Sequence, residues 1–453
     1  MSTPTLPLRT PPLVDTLHAG ADAIVRRLRE HGHQAFWVGG CVRDLEMGRQ
    51  PHDYDIATDA RPEIVAGLFK TATLVGARFG VVVVAVGGHH YEVSTFRAEG
   101  PYLDGRRPST VEFVSAEADV RRRDFTINGL LHDPLTHETI DYVGGREDLA
   151  RKLVRAIGDP ATRLAEDRLR TLRAVRLAAE LEFAIEGETH RAIRAAAAQI
   201  VSVSAERVRG ELVRLLTAPA RSDGVRVLEE SGLLQALLPE VAAMVGVSQP
   251  PEFHPEGDVF THTMLTLGFL RAPTPILAMG TLLHDVGKPP TYQMTDRIRF
   301  NRHDEVGADL AETICRRLRF SSDESGHIVA LVREHMRVAV LSAMRPAKVK
   351  RFLLRDDILD HLELHRADCL ASHGDLSAWE WVTRAYETLQ TEAPRSSRLL
   401  TGDDLIAMGY RPGPLVGKIL EFVEDAQFEG RIGTSEAAAA LVRETFPQDH
   451  KLQ

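Results

Sequence analysis

Apolar residues at Leu17, Ala21, Ile24 and Leu28 recur three or four apart, which predicts a helix over residues 13–31 that Gly32 stops. The run Gln34 to Val38 is strand-sized and ends at Gly39-Gly40. Val81 to Val86 and Tyr91 to Phe96 are apolar, β-branched runs on either side of Gly87-Gly88-His89-His90, the pattern of a hairpin. The first third therefore reads as mixed α/β with a small antiparallel sheet. From about residue 146 the period becomes helical. Asp159-Pro160 starts a helix, with proline in its first turn. Residues 160–184 and 189–217 each carry an amphipathic stripe, and Ala218-Pro219 ends the second. Ser248-Gln249-Pro250-Pro251 has loop composition and marks a boundary within 220–255. Another helical block runs to about 392, and Glu392 to Ser397 reads as a linker to a last helical module. The expected division is 13–145, 146–225, 226–394 and 395–453.

Composition narrows the class. The chain has 453 residues, 43% apolar and 26% charged, ordinary values for a globular protein of about three domains. Its net charge of −9 rules out a histone-like polycation. A nucleic-acid partner stays open, because binding depends on a local basic face. Residues 146–221 hold fifteen Lys/Arg against eleven Asp/Glu, a local excess of the sign a phosphate backbone requires; a solvated helix face would look the same. No apolar run reaches the roughly 18 residues that cross a bilayer. Met1 to Pro12 lacks the apolar core of a secretory signal. The three cysteines, Cys41, Cys315 and Cys369, are far apart, which fits a reducing cytoplasm better than a disulfide framework.

The most informative stretch is Phe36 to Asp59. Residues i and i+2 of a strand share a face, so Asp53 and Asp55 can grip Mg²⁺ ions that in turn hold nucleotide phosphates. Gly39-Gly40 follows a strand and opens a helix containing Arg43 and Asp44. Backbone amides approach phosphate closely there. A solvated turn would explain Asp-x-Asp alone; the upstream strand, glycines and arginine favour the metal reading. Glu92, on the second hairpin strand, is the natural third carboxylate, and an exposed edge position is the bland alternative.

These residues carry a resemblance. Gly39 to Asp44, followed by His52 to Thr58, resembles the signature of class II template-independent nucleotidyltransferases. These are the CCA-adding tRNA nucleotidyltransferases and bacterial poly(A) polymerases, of the DNA polymerase β superfamily. Further motifs follow in the family's order. Arg122 to Asn128 resembles its ribose-recognising motif, Asp141 to Leu149 its hinge, Glu166 to Arg170 its EDxxR motif, and Ser204 to Leu216 its neck helix. Five motifs span about residues 35–220, and Gly402 to Leu420 resembles the tail more weakly. Gly129 departs from the alanine common there. The resemblance implies an α/β nucleotidyltransferase head followed by all-α neck, HD and tail domains. It implies that Asp53 and Asp55, with Glu92, are catalytic and hold Mg²⁺. Gly39, Gly40 and Arg43 would hold triphosphate, and Arg123, Asp124, Asn128 and Arg173 would bind the nucleotide.

At about 100° per residue of a continuous helix, Glu166, Asp167 and Arg170 share one arc while Leu164, Leu172 and Val175 face the other way. Arginine supplies donors and aspartate acceptors, so the pair can match a base edge. In the resembled family this pair reads C and A while the glutamate orients the arginine; a surface Glu166–Arg170 ion pair is the competing explanation.

Four His-Asp dipeptides occur. Leu282 to Lys288 (LLHDVGK) differs from the others in ending an apolar helix, with His262 before it and Asp368 after it. This resembles the HD phosphohydrolase superfamily, whose ligand order is H…HD…D. His262, His284, Asp285 and Asp368 would then hold a transition metal (Mn, Ni, Fe or Zn), with His303 and His335 in the order of its extra histidines. A degenerate HD scaffold is the alternative. His284 and Asp285 are adjacent, so both can ligate only at a helix end or kink, which Gly287 is expected to permit.

The reading is a cytoplasmic CCA-adding enzyme acting on the tRNA 3′ end with CTP and ATP. Poly(A) or A-only addition is the near alternative, and an HD phosphohydrolase with an RNA-binding head is the alternative from another class. The segment Arg97 to Thr110 resembles a flexible loop that CC-only relatives lack, which disfavours CC-only addition.

Overall fold

The computed structural model describes residues 16–76, 80–99, 111–252, 254–391 and 398–447. They form two compact units, one ending at Pro239 and one beginning at Glu240.

The first unit is built on a seven-stranded sheet. Its strands are β1 (Ala35–Val38), β2 (Asp55–Thr58), β3 (Ala72–Gly76), β4 (Val81–Val86), β5 (His89–Thr95), β8 (Leu130–Asp133) and β9 (Glu138–Asp141), in spatial order β3-β4-β5-β2-β1-β8-β9. Two short strands, β6 (Arg97–Glu99) and β7 (Val111–Phe113), pair with each other outside it. The expected hairpin is present as β4–β5, turning at Gly87-Gly88. The sheet is larger than the sequence implied and not purely antiparallel, because β2 and β5 run parallel with Ile56 opposite Val93. That register sets Asp55 beside Glu92.

Both faces of the sheet are covered. Side chains alternate along a strand, so Trp37 and Ile56 pack with Ile24, Val25 and Leu28 of the helix Thr16–Glu30. Phe36, Val38 and Ala57 pack on the other face with Phe96, Val120 and Leu131. The edge of Gly20 lies against the Tyr91 hydroxyl, which donates to the Leu17 carbonyl.

The neck departs from the helical reading in one place that matters. Residues 160–184 are not one helix. They form Pro160–Glu166 and Leu169–Leu181, and Asp167 between them is extended at φ −138°, ψ 106°. Likewise 189–217 comprises Gly187–Ala196, a 3₁₀ turn and Ala205–Leu216. Leu169–Leu181 is buried along most of its length by Ala205–Leu216 and Arg221–Glu230.

The second unit is helical. Val259–Phe269, Pro275–Leu283, Ser322–Glu334 and Ile358–Ala371 pack together, with His303–Arg317 against Ser322–Glu334. The starts of Val259–Phe269, Pro275–Leu283 and Ser322–Glu334 are capped by Asp258, Thr274 and a Ser321/Glu324 capping box. A short hairpin, Tyr292–Met294 with Ile298–Phe300, interrupts the helices, as does the parallel pair Leu153–Val154 with Ala184–Ile185 in the neck. Gly402–Ala407, Pro414–Phe428 and Ser435–Thr445 close their own core around Leu405, Ile419 and Val423. The expected linker, 392–397, lies outside the described residues.

Candidate functional site

In the first unit a cleft of about 960 Å³ opens beside the ends of β1 and β2. It gathers the expected residues Gly39, Gly40, Arg43, Asp53, Asp55, Glu92, Arg123, Asp124, Asn128, Asp167, Arg170 and Arg173. Nine arginines and seven carboxylates line it, so a chain of net charge −9 presents here a cavity with a small cationic excess, its acids gathered at particular points.

Three carboxylates stand at one end. Strand β2 starts at Asp55, so Asp53 lies just before the strand rather than within it, a correction to the shared-strand reading. Both still face the cleft. Asp53, Asp55 and Glu92 are exposed to it and form no ion pair among the described residues. Enclosure by the cleft walls, then the charges of Asp53 and Glu92, push the Asp55 carboxyl up to about 6, against the pull of Arg123 and Arg173. Such mutual repulsion is what a cation would relieve. Cys41, close behind, is buried and its thiol is pushed up to about 12, so it stays protonated and offers no thiolate.

Gly39 takes φ 80°, ψ −132° at the turn into the helix Gly40–Glu46. A side chain there would be strained, and its first carbon would lie 3.9 Å from Asp55 Oδ2 and 3.7 Å from Arg123 Nη1. The cleft wall is therefore bare backbone where the carboxylates converge. Asp44 accepts from the Arg43 guanidinium at 2.7 and 2.9 Å, and the Asn128 side-chain oxygen accepts from it at 3.0 Å. Asp119, almost fully buried, holds Arg122 at 2.7 Å and Arg123 at 3.0 Å. Asp124 is buried; its desolvation is outweighed by Arg173 and Arg170, which hold its carboxyl below the usual range. Sequence reasoning missed Asp119, because nothing in a helical Ser-Ala-Glu-Ala-Asp run announces that it pins two arginines.

Glu166, Asp167 and Arg170 come together, though not on one helix face. Glu166 does not line the cleft. Its carboxylate accepts from Arg163 at 2.7 Å and from Arg170 at 2.5 Å, and Arg170 also donates to the Arg163 carbonyl at 2.8 Å. Arg170 is 9% exposed, so this is a fixed, enclosed pair and not a solvated surface bridge. Asp167 enters from the break between the helices, and Arg207 grips both its oxygens, at 2.6 and 3.2 Å.

Gly129 explains its own departure from alanine. A β-carbon there would lie 2.8 Å from Val143 Cγ2 and 3.2 Å from Ile157 Cδ1. Gly129→Ala is expected to destabilise the protein by about 1–3 kcal/mol through overpacking, read as a lowered midpoint in denaturant.

In the second unit the six expected ligands converge. The helix Pro275–Leu283 ends at His284, which frees His284 and Asp285 to point one way. His262 Nε2 lies 3.3 Å from His284 Nε2 and 2.9 Å from Asp368 Oδ1. His303 Nε2 and His335 Nε2 are 3.3 Å apart, and they lie 3.7 and 3.8 Å from Asp285 Oδ1. The Nδ1 atoms of His284, His303 and His335 face the carbonyls of Thr281, Phe300 and Val332, which as donors leave each Nε2 as the free ligand atom. Asp285 Oδ1 is buried with no hydrogen-bond partner, although Lys288 Nζ is 2.7 Å from its other oxygen. Gly287 has φ −82°, an ordinary value, so it is not needed as a flexible kink. Its missing side chain is the point: a β-carbon would collide with the His303 carbonyl and the Gly307 backbone. Sequence reasoning also missed Glu256, whose carboxylate lies 2.7 Å from His262 Nδ1.

The poly A polymerase head domain family matches residues 35–155, the probable RNA- and SrmB-binding site of polymerase A matches 182–245, and the HD domain matches 259–372. A CC-adding tRNA nucleotidyltransferase of Thermus thermophilus is 36% identical over 425 residues, 90% of this chain and 93% of that protein. The chain belongs to the tRNA nucleotidyltransferase and bacterial poly(A) polymerase family with an HD domain. Among other members of the family, a CCA-adding enzyme of Geobacillus stearothermophilus is 44% identical over 220 residues, 48% of this chain and 54% of that protein. The crystal structure of the Bacillus stearothermophilus CCA-adding enzyme in complex with CTP matches this nucleotidyltransferase with a TM-score of 0.73 and 27% identity, over 95% of this chain and 98% of that one.

Proposed function

We propose that this nucleotidyltransferase adds C, C and A to the 3′ end of tRNA from CTP and ATP, releasing pyrophosphate. The observation that carries this is the single arginine-lined cleft, with three carboxylates unpaired among the described residues at one end and the Asp167–Arg170 pair also on its wall. The CTP complex of the Bacillus stearothermophilus relative supports it.

Asp53, Asp55 and Glu92 would hold Mg²⁺. Bound there, Mg²⁺ would activate the tRNA 3′-hydroxyl and neutralise the leaving pyrophosphate. The chain itself supplies the rest. Gly39 and Gly40 keep the wall bare for the triphosphate, and Arg43, oriented by Asp44 and Asn128, meets its charge. Arg123, held by Asp119, with Asp124 and Arg173, lines the ribose side. C and A both present an amino donor beside a ring-nitrogen acceptor, whereas U and G present the reverse. Asp167 would accept from the amino group and Arg170 would donate to the ring nitrogen. Glu166 keeps Arg170 aimed.

The product itself has a second reading. The Thermus relative is a CC-adding enzyme by name and overlaps this chain almost end to end. Against CC-only addition stands the segment Arg97 to Thr110, of which 100–110 lie outside the described residues. Incubating the protein with tRNAs ending before C, after CC and after CCA, with each NTP, and sequencing the products separates the outcomes. Addition of A after CC supports full CCA addition, arrest at CC supports the second reading, and A runs beyond CCA support poly(A) synthesis. A substrate set of tRNA, CTP and ATP supports a cytoplasmic location.

The raised Asp55 carboxyl gives the metal requirement a pH signature. Protons and Mg²⁺ compete for a carboxylate, so affinity falls as pH drops through about 6. Between pH 7 and pH 5 the Mg²⁺ concentration giving half-maximal addition is expected to rise about tenfold; a carboxyl at the ordinary 3.8 would leave it nearly unchanged. Titrating Mg²⁺ against single-turnover addition across pH 5–8 checks this.

In the second unit, His262, His284 and Asp368 would hold one ion, and Asp285, His303 and His335 a neighbouring one, of Mn, Ni, Fe or Zn. The orphaned Asp285 Oδ1 supports an absent cation over a bare scaffold. Such a centre would hydrolyse phosphoesters.

A further inference from the structure

Asp167 reaches the cleft from a stretch of extended backbone between two helices, so no helical turn fixes its side chain. Something else must, because base discrimination needs an acceptor with a defined direction. Arg207 is the group that does it. It projects from the helix Ala205–Leu216, whose own position is anchored by buried Val208, Leu212, Leu215 and Leu216, and by Glu211 accepting from Arg176 at 2.7 Å. Its guanidinium donates to both Asp167 oxygens, Nη1 to Oδ1 at 3.2 Å and Nη2 to Oδ2 at 2.6 Å. The Leu169 amide also donates to Oδ1, at 3.2 Å.

A carboxylate offers about four acceptor positions. These three bonds leave about one, on Oδ2. The forked guanidinium also sets the plane of the carboxylate, since two parallel bonds fix orientation as well as distance.

We propose that Arg207 is a positioning residue for base selection: it presents a single open acceptor of Asp167 to the incoming base. Rotation of the carboxylate is blocked, so a base offering an oxygen there, U or G, meets an acceptor and is rejected. A base offering an amino group, C or A, completes the fourth bond. The inference rests on the base-reading assignment of Asp167 and deepens it.

The test compares kcat/KM for CTP and UTP on a tRNA ending before C, for wild type, Arg207→Ala, Arg207→Lys and Asp167→Ala, with thermal unfolding of each. Arg207→Ala is expected to lower the CTP-over-UTP ratio about tenfold or more, chiefly through a raised KM for CTP. Arg207→Lys, which keeps a cationic donor without the fork, should recover part of the ratio. Should the alanine variant not fold, Arg207→Gln, which keeps a donor on a similar stem, repeats the comparison. A wild-type ratio in a folded Arg207 variant, with the ratio relaxed in Asp167→Ala, overturns the role of Arg207 and leaves base reading intact. A wild-type ratio in Asp167→Ala overturns the base-reading assignment and this inference with it.

Discussion

Asp55→Ala and Asp53→Ala each remove nucleotide addition by about a thousandfold or more, while the protein stays folded. Metal-held transition-state charge is worth several kcal/mol, and each 1.36 kcal/mol is tenfold in rate. Folding should not suffer, because both side chains are exposed to the cleft and form no ion pair among the described residues. The substitution removes a charge that the other two carboxylates repel. Without divalent metal, the unfolding temperature of Asp55→Ala should equal or exceed that of wild type. Single-turnover extension of tRNA and thermal melts in EDTA make the two measurements. Extension at the wild-type rate by either variant would refute the assignment.

His284→Ala strips the second unit of bound metal and of phosphoester hydrolysis, and leaves nucleotide addition at its wild-type rate. His284 Nε2 faces His262 and Asp285 inside the buried cluster, so its loss opens the ligand set. Metal affinity should fall by about 10–100-fold at least, the range seen even for groups one step removed from the ion. Metal content by mass spectrometry and hydrolysis of a 2′,3′-cyclic phosphate with Mn, Ni, Co or Mg provide the readouts. Asp55→Ala should give the reverse pattern: no addition, full hydrolysis. No bound metal and no hydrolysis in wild type would make the HD fold a scaffold and leave the head's chemistry untouched.

Much of the head was readable from the chain because its site is local. Gly39 to Asp44 lead from the end of β1 into one short helix, and Asp53 to Thr58 lead into and along the neighbouring strand β2, so a short stretch of chain brings them together. What pairing brings from afar was not readable. The parallel register of β2 with β5 sets Glu92 beside Asp55 across 37 residues, and hairpin reasoning placed Glu92 on a strand without supplying that neighbour. The break at Asp167 left no mark in composition. No glycine or proline stands there, and the apolar period runs on from Leu164 to Val175, so a continuous helix was the natural expectation. Arg207 stayed hidden for the same reason, 40 residues away on another helix. In the second unit the order H…HD…D found the cluster, since adjacency of His284 and Asp285 at a helix end is a local fact. The value of Gly287 was misjudged, because conformational freedom can be read from a residue type and crowding cannot.

That crowding makes Gly287 a spacer of zero thickness. What a β-carbon would strike there is backbone, the His303 carbonyl and Gly307, and backbone has no rotamer by which to yield. One added methyl group would therefore shift the start of the helix His303–Arg317 outward and carry His303 with it, while His262, His284 and Asp368 kept their places on other segments. Were the cluster to hold two ions through Asp285, the distance between two polypeptide backbones would meter that number, and a single carbon atom would divide a paired centre from a solitary one.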